Sequence, residues 1–388
     1  MEKRKEEKGR KILVFLLAVC ILLLVIVLFL TRRYIKLEAK LGVIEKIVDT
    51  AYLEDIDEKK LEEYVYKGYV AGLGDPYSAY YTKEEYDELN EENTGAYIGI
   101  GVTIAKDANT GEFIFGDAYE GGPAKEAGIQ EGDIILKVNG ESVEEMELDT
   151  LISKIKGKEN VTVEFVILRD EEEINIEVTT REVEITTVES RMLENKIGYI
   201  KLSQFIEVSS EQFKAAYEKL KEDGATSLIV DLRDNPGGLL SEVVDIADYF
   251  LPKNKMIVYT KDKNGKGDEY KSSKKQLIDM PVVVLVNGDS ASAAEILTGV
   301  IKDYKIGTIV GENTFGKGIV QKFYPLGDGS AVKLTVEKYY TPNGNDIHKK
   351  GIAPDVEVKE ETEDKDSASV DNDDIDNQLE KAIEILKK

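Results

Sequence analysis

The fold class is decided by the stretch Val282-Val283-Val284-Leu285-Val286-Asn287-Gly288-Asp289-Ser290-Ala291-Ser292-Ala293-Ala294-Glu295-Ile296. Its five apolar residues predict a buried strand, and the small residues after Asn287 predict the start of a helix. Apolar residues then keep helical spacing on one face at Ile296, Leu297, Val300 and Ile301. A strand that leads through a short loop into a helix indicates an α/β fold, in which ligands bind beyond the strand ends.

The same alternation continues on both sides of this stretch. Leu228–Leu232 is almost continuously apolar, as a strand buried on both faces requires. Ile197–Leu202 and Thr308–Val310 predict further strands, and Leu239–Phe250 predicts a helix. The chain is therefore predicted to be an α/β (α+β) multidomain protein, with its α/β core over residues 182–358.

Composition excludes several classes of function. The chain has 388 residues, a net charge of -25, one Cys and one His. The acidic balance argues against a nucleic-acid partner, which needs a basic face. Cys20 lies in an apolar segment and zinc hydrolases need more than one His, so neither a metal nor a cofactor is predicted. A Ser-His-Asp triad could use only His348 and needs a carboxylate that the sequence does not place.

The N-terminal segment predicts a membrane anchor. Ile12 to Leu30 is apolar without a break, and nineteen helical residues span about 28 Å, close to the hydrocarbon core. A cleaved signal peptide would end in an Ala-x-Ala-like site, which is absent, and the apolar run continues past Cys20, which disfavours a lipoprotein site. Basic residues flank both ends, so the orientation signal is weak. We predict a cytoplasmic stub and anchor over residues 1–34, in the cell membrane as a single pass, with the catalytic domain outside the cytoplasm.

Residues 35–94 predict a helical N-terminal region. Its Tyr-rich amphipathic faces, such as Leu61, Tyr64, Val65 and Tyr69, are typical of packing surfaces, and the alternative is a homodimer contact. Residues 359–388 predict an acidic linker followed by a short docking helix. The apolar face of that helix consists of Leu379, Ala382, Ile383 and Leu386.

Residues 95–181 resemble a PDZ domain. The glycine-punctuated loop Gly99-Ile100-Gly101-Val102 precedes a strand, and Asn139-Gly140 predicts a hairpin turn. The stretch from Gly122-Pro123-Ala124 to Gly132-Asp133-Ile134-Ile135 matches the same domain. The resemblance implies that the loop offers backbone N–H groups to a terminal carboxylate while the peptide adds as a strand. The alternative is a small β domain whose glycines serve only its turns.

From about Leu37 to about Leu386 the chain resembles the carboxyl-terminal processing peptidases, a family of PDZ-containing serine proteases. Five motifs in order carry the resemblance: Asp75-Pro76-Tyr77-Ser78, Asp231-Leu232-Arg233-x-Asn235-Pro236-Gly237-Gly238-Leu239-Leu240, Ser290-Ala291-Ser292-Ala293-x-Glu295-Ile296, Phe315-Gly316-Lys317-Gly318-x-Val320-Gln321 and Lys338-Tyr339-Tyr340-Thr341-Pro342.

The resemblance implies a Ser-Lys dyad, with Ser292 as nucleophile, Lys317 as base and Gln321 in support. It also implies an oxyanion hole of backbone N–H groups, from Ala293 and from Gly237 or Gly238. Three departures, none of them on the dyad, are Ala294, Asp234 and Ile98. Lys156 stands where many members carry an arginine said to couple the PDZ domain to the active site. A lysine keeps the charge but loses the bidentate fork.

The chemistry of the dyad depends on a neutral lysine. Burial lowers a lysine pKa, and Phe315, Ile319 and Val320 are the apolar neighbours expected to bury Lys317. Gly316 and Gly318 are expected to remove bulk that would keep its amine from Ser292. Without the resemblance, a helix N-cap at Ser292, a role that suits Ser290 equally well, and a solvated surface lysine at 317 stay as alternatives.

These observations predict a membrane-anchored serine endopeptidase without a cofactor, which binds protein C-termini through its PDZ domain and cleaves polypeptides through an acyl-enzyme. The alternative is a non-catalytic, membrane-tethered PDZ scaffold that binds protein C-termini. A scaffold has no need of Ser292, Lys317 and Gln321, so the catalytic interpretation is favoured.

Overall fold

The computed structural model describes residues 2–108, 110–119, 121–360 and 376–387. They separate into two compact units, divided between Tyr66 and Lys67. The first unit holds helix α1 (Glu2–Ala51) and most of helix α2 (Glu58–Ala71). This unit is helical, as its sequence predicts.

Helix α1 contains the apolar segment 12–30 that the sequence assigns to a membrane span. Within the residues whose side chains the structure describes, no helix is both long enough and apolar enough to cross a membrane. The side chains of Ile12 and of residues 23–30, which belong to the apolar segment, lie outside that described part. The membrane anchor therefore stays a prediction.

The apolar face predicted on α2 is exposed. Leu61, Val65 and Tyr69 are 48%, 42% and 65% exposed, so their apolar surface is not buried within the described part of the chain. The packing of this face stays a prediction. The homodimer contact stays a prediction.

The second unit begins with the end of α2 and continues through a turn at residues 74–78 to strand β1 (Ala79–Tyr81) and helix α3 (Lys83–Thr94). Strand β1 pairs antiparallel with residues 331–333, near the end of the core. The prediction of a helical region over 35–94 is therefore wrong at β1. A three-residue strand shows too little alternation to be read from sequence, and its partner lies far along the chain.

A separate β domain with its own core follows. Its buried side chains include Phe113, Phe115, Leu151, Phe165 and Ile167. Asn139 and Gly140 have φ of 49° and 79°, the left-handed pair that a two-residue hairpin needs, which confirms the predicted turn. The elements are β2 (Ala96–Gly99), β3 (Val102–Lys106), β4 (Phe113–Ala118), α4 (Pro123–Glu126), β5 (Ile134–Val138), β6 (Glu141–Ser142), α5 (Leu148–Ile155), β7 (Thr162–Arg169), β8 (Glu172–Thr179) and β9 (Arg181–Glu184).

The strands of this domain form a sheet in the order β3-β4-β5-β7-β8, with β6 beside β5. Strands β2 and β9 pair with each other in a separate antiparallel ribbon. The chain enters the domain through β2 and leaves it through β9, so this ribbon joins the domain to the core.

The core has two sheets. The larger has the order β10-β11-β12-β15-β16-β19, parallel from β11 to β19, and the smaller has the order β1-β18-β13-β14 with β17 on the other side of β18. This architecture confirms the predicted α/β fold class. The elements are β10 (Val188–Leu193), a 3-10 turn (Glu194–Lys196), β11 (Ile197–Leu202), α6 (Ser209–Glu222), β12 (Ser227–Asp231), α7 (Leu240–Phe250), β13 (Met256–Asp262), β14 (Glu269–Lys271), β15 (Val282–Val286), α8 (Ala293–Asp303), β16 (Gly307–Gly311), β17 (Ile319–Pro325), β18 (Ala331–Tyr340), β19 (Val356–Glu357) and α9 (Asn377–Leu386).

The central strands are apolar because both faces of the larger sheet are covered. Val284 on β15 contributes to a core with α6, α7 and α8, whereas Val283 and Leu285 face the other way, towards α9. Leu379 and Ile383 of α9 pack against that second face. The prediction of a docking helix is thereby confirmed, whereas most of the predicted acidic linker, residues 361–375, lies outside the described residues.

Candidate active site

The candidate site lies where β12 and β15 end side by side in the sheet. The loops that follow these strands are fastened to each other by side chains. Asn287 donates to the Asp234 carboxylate at 2.7 Å and accepts from the Asp234 N–H at 3.0 Å. The Ser290 hydroxyl donates to the Leu232 carbonyl at 2.8 Å. The two loops therefore form one rigid surface, and Ser290 is not the cap of α8.

Asn235, which is fully buried, provides a second set of hydrogen bonds that hold these loops in place. Its side-chain nitrogen donates to the Leu202 carbonyl at 2.7 Å, and its backbone carbonyl accepts from the Ala291 N–H at 2.9 Å. Its side-chain oxygen accepts from the Gly237 N–H at 2.8 Å. The Asn235 side chain thus ties the glycine loop to β11, and the Asn235 backbone ties the loop to the segment that carries Ser292.

Ser292 is the N-cap residue of α8, and its backbone is strained. Its φ of 51° and ψ of −111° lie in a region that residues other than glycine rarely adopt. Its N–H donates to the Glu295 carboxylate at 2.9 Å, and its carbonyl accepts from the buried Tyr339 hydroxyl at 2.9 Å. Strain of this kind persists only where surrounding contacts over-determine it, and it is concentrated at functional sites.

The fully buried Glu295 joins this serine to the lysine segment. Its carboxylate accepts from the backbone N–H groups of Gly316 and Lys317, each at 2.8 Å, and from the Thr314 hydroxyl at 2.6 Å. Sequence reasoning assigned no role to Glu295. The spacing Ser292-x-x-Glu295, which is that of a capping box, is the signal that could have identified it.

Lys317 is half-buried, and its amine lies over the Tyr77 ring, 5.1 Å from the ring centroid. Burial, followed by the positive charge of Lys333, lowers the pKa of Lys317, while the charge of Glu295 acts in the opposite direction. Phe315 is 52% exposed, so its predicted part in burying the lysine is wrong. The aromatic cover comes from Tyr77 instead, at a position that sequence spacing could not connect to residue 317.

The glycines beside Lys317 serve a different purpose from the one expected. A methyl group placed on Gly316 lies 2.9 Å from the Gly351 nitrogen, and one placed on Gly318 lies 2.7 Å from the His348 nitrogen. Both glycines therefore make room for the backbone of residues 348–351, not for an approach of the amine to Ser292. The lysine segment is held between that backbone and Glu295.

The structure brings the predicted dyad together only in part. Among the described residues, no hydrogen bond joins the Lys317 amine to the Ser292 hydroxyl, although both backbones bind one carboxylate. Gln321 lies on strand β17, next to a bulge in its pairing with β18, so it is not one helical turn from the lysine. Its side-chain nitrogen is buried and has no hydrogen-bond partner in the described part of the chain.

The geometry distinguishes the candidate oxyanion donors. The Gly237 N–H is occupied by Asn235, whereas the N–H groups of Gly238 and Ala293 donate to no acceptor in the described residues. A methyl group placed on Gly237 lies 2.7 Å from Ser292 Cβ and 2.9 Å from the Ala293 nitrogen, so the glycine loop contacts the serine directly. The backbone N–H groups of Gly238 and Ala293 are therefore the pair of candidate donors that is available to an oxyanion.

His348 lies against the segment that carries Lys317. Its backbone packs against Gly318, and its side-chain Nδ1 is buried without a partner among the described residues. Burial, then Lys338 and Lys349, lower the pKa of His348, while Asp346 and Asp75 act in the opposite direction. Among the described residues, no hydrogen bond joins His348 to Ser292, so the geometry does not favour a Ser-His pair.

The candidate peptide site lies on the separate β domain. The carbonyls of Ile100 and Gly101 accept from the N–H groups of Ala124 and Tyr119 at 2.8 and 2.9 Å, which fixes the loop Gly99–Val102 against α4. Strand β3 follows this loop and is the terminal strand of its sheet, so its outer edge is unpaired within the described residues. That edge has the geometry that an added peptide strand needs.

Lys156 caps the C-terminal end of α5 and faces the connecting ribbon. Its amine lies 5.1 Å from the Tyr97 ring centroid on β2 and 4.0 Å from the Glu91 carboxylate on α3. The residue therefore links the β domain to the segment that precedes it. Its predicted regulatory role stays a prediction.

Two family models match the chain. The model described as peptidase family S41 matches residues 196–358, and the model of the PDZ domain matches residues 114–169. A probable CtpA-like serine protease from Staphylococcus aureus (strain COL) is 38% identical over 323 residues. That match covers 82% of this chain and 64% of the relative, so the chain spans less than two thirds of the relative's length.

Two solved structures are also similar. The photosystem II D1 C-terminal processing protease is 30% identical with a TM-score of 0.49, over 82% of this chain and 86% of that one. A putative S41 protease from Bacteroides fragilis NCTC 9343 is 18% identical with a TM-score of 0.53, over 80% of this chain and 86% of that one. The second likeness shows a shared fold.

Proposed function

We propose that this chain, which belongs to the C-terminal processing serine proteases of peptidase family S41, is an endopeptidase that acts through Ser292 and Lys317. The observation that carries the proposal is the shared Glu295 carboxylate. It binds the backbone N–H of both residues and so holds a strained serine beside a half-buried lysine. A surface serine and a surface lysine have no need of such an arrangement.

In the proposed mechanism, neutral Lys317 accepts the hydroxyl proton of Ser292, whose oxygen attacks the scissile carbonyl carbon. The N–H groups of Gly238 and Ala293 hold the resulting oxyanion, each contributing about 3 kcal/mol by analogy with other hydrolases. Protonated Lys317 gives its proton to the leaving amine, which departs and leaves the acyl-enzyme. Water then attacks the ester and loses a proton to Lys317, which passes that proton to the Ser292 oxygen as the ester bond breaks and the carboxyl product leaves. The carboxamide oxygen of Gln321 is the proposed acceptor that orients the amine during these steps.

Substrate capture is proposed at the PDZ domain. A peptide C-terminus would bind the backbone N–H groups of the loop Gly99–Val102, and its chain would pair with the outer edge of β3. Lys156 would pass occupancy of this site to the preceding segment. Residues 12–30 would anchor the enzyme in the cell membrane with the catalytic part outside, and protease added to intact cells should then degrade that part.

The deciding experiment incubates the chain with an unstructured protein and follows its cleavage by mass spectrometry. We expect cleavage by the wild type and none by Ser292→Ala or Lys317→Ala, with circular dichroism showing that both variants fold. Mass spectrometry of the quenched reaction should find an adduct on Ser292. Undiminished cleavage by either variant would refute the assignment. Binding of C-terminal peptides without any cleavage by the wild type would favour the PDZ scaffold.

A further inference from the structure

Glu295 is a buried carboxylate with an unusual set of partners. Its Oε2 accepts from the N–H groups of Ser292 and Lys317, and its Oε1 accepts from the Gly316 N–H and the Thr314 hydroxyl. The residue is fully buried, and no cation forms a salt bridge with it among the described residues. Burying an unpaired charge is costly unless hydrogen bonds compensate for it, and a carboxylate in the first turn of a helix also gains from the helix dipole.

All four partners are donors. A protonated carboxyl would place its own proton against one of them, so the arrangement fits the ionised form. Because the nitrogens of Ser292 and Lys317 lie within one hydrogen bond of the same oxygen, they are held no more than about 6 Å apart. The carboxylate is therefore a fixed spacer between two segments that no strand pairing joins directly.

We propose that Glu295 is a positioning residue, which sets the relative placement of Ser292 and Lys317 and places a negative charge near the lysine amine. This inference rests on the proposed function. Glu295 touches no reacting atom, and its effect passes through the backbone of the two residues that do.

The titration of Lys317 reports that charge. The groups that face the lysine are Lys333 and Glu295, with the Tyr77 ring over the amine. The charge of Glu295 raises the pKa of Lys317, so its removal should lower that pKa and move the acid limb of the pH–rate profile to lower pH. A residue that only stabilises the fold would not move this limb.

The test compares Glu295→Gln and Glu295→Asp with Glu242→Gln. Glu242 is also a buried acid in the first turn of a helix, where it accepts from the Ser210 N–H of α6 at 3.0 Å and from neither Ser292 nor Lys317. In Glu295→Gln, an amide group replaces one acceptor oxygen and faces two donors. We expect kcat to fall about 100-fold with KM changed less than about threefold, because misplacement of this order costs about that much. The acid limb should move to lower pH.

Glu295→Asp keeps the charge but is one methylene shorter, so its kcat should fall while the acid limb stays in place. Glu242→Gln should match the wild type in both. Unchanged kcat and unchanged limb in Glu295→Gln would overturn the proposal. Failure of both Glu295 variants to fold would also overturn it, since the residue would then serve stability. If the wild type itself cleaves nothing, the proposed function fails. Titration of the Lys317 amine by NMR, in the wild type and in Glu295→Gln, then still tests whether the charge of Glu295 raises the pKa of Lys317.

Discussion

Replacing Gly237 with alanine should slow the proposed cleavage about 100-fold without unfolding the chain. The added methyl group would lie 2.7 Å from Ser292 Cβ, 2.8 Å from the Ala291 carbonyl oxygen and 2.9 Å from the Ala293 nitrogen. Carbon atoms prefer a separation of about 3.5 Å, so the glycine loop and Ser292 must move apart by about 0.8 Å. The φ of Gly237 is 99°, and forcing a side chain there adds roughly 1–3 kcal/mol of strain.

Both effects act on the candidate oxyanion hole, because the displaced atoms include the Ala293 nitrogen. A misplacement of about 1 Å can lower the rate about 100-fold, and we expect kcat/KM to fall by that order. The assay is cleavage of an unstructured protein under first-order conditions, together with a thermal melt. The melting temperature should fall by only a few degrees, since the strain is small beside the stability of a large domain.

Gly288→Ala is the matched control in the neighbouring loop. A methyl group there meets nothing within 4 Å, so activity and melting temperature should stay close to those of the wild type. Retention of activity by Gly237→Ala to within about threefold would refute this reasoning, because the atoms named would then have room to move without cost. An equal loss in Gly288→Ala would refute it too.

Three further predictions concern charge and buried hydrogen bonds. Lys333→Gln removes a positive charge that lowers the pKa of Lys317, so the acid limb of kcat/KM against pH should move to higher pH. Arg233→Met breaks the bidentate pair with Asp376 at 2.8 and 2.7 Å, and hydrogen exchange in α9 should become faster. Burial raises the pKa of Asp376, but hydrogen bonds, chiefly from Arg233, lower it overall, so this pair should be lost as the pH falls below 3.8. Asn235→Ala leaves two groups, the Gly237 N–H and the Leu202 carbonyl, without their side-chain partner, and the free energy of unfolding measured with denaturant should fall by at least about 1–3 kcal/mol.

Much of the fold could be predicted from the sequence because burial leaves a local record. Val282–Val286 is apolar throughout since both faces of its sheet are covered, and every residue in it is buried. The turn at Asn139-Gly140 could be predicted for a similar reason, since few residues adopt two successive left-handed conformations. Strand β1 could not, because its three residues are specified by pairing with residues 331–333.

The candidate site likewise has residues that the sequence predicts and contacts that it does not predict. Ser292 and Lys317 were named from motifs, and the structure places both backbones on one carboxylate. The sequence could not identify Tyr77 as the cover of the lysine, nor predict that Phe315 would be exposed. Spacing along the chain carries no information about contacts between separate loops.

By itself, the sequence determined the α/β class, the presence of a PDZ domain and the residue types available for chemistry. The tertiary structure alone decided which glycine N–H is available, because Asn235 occupies that of Gly237, whereas that of Gly238 meets no acceptor among the described residues. It alone showed that Glu295 joins the serine to the lysine. Periodicity reports which side of an element is buried, whereas a hydrogen bond between two loops exists only once the packed strands have set their separation and direction.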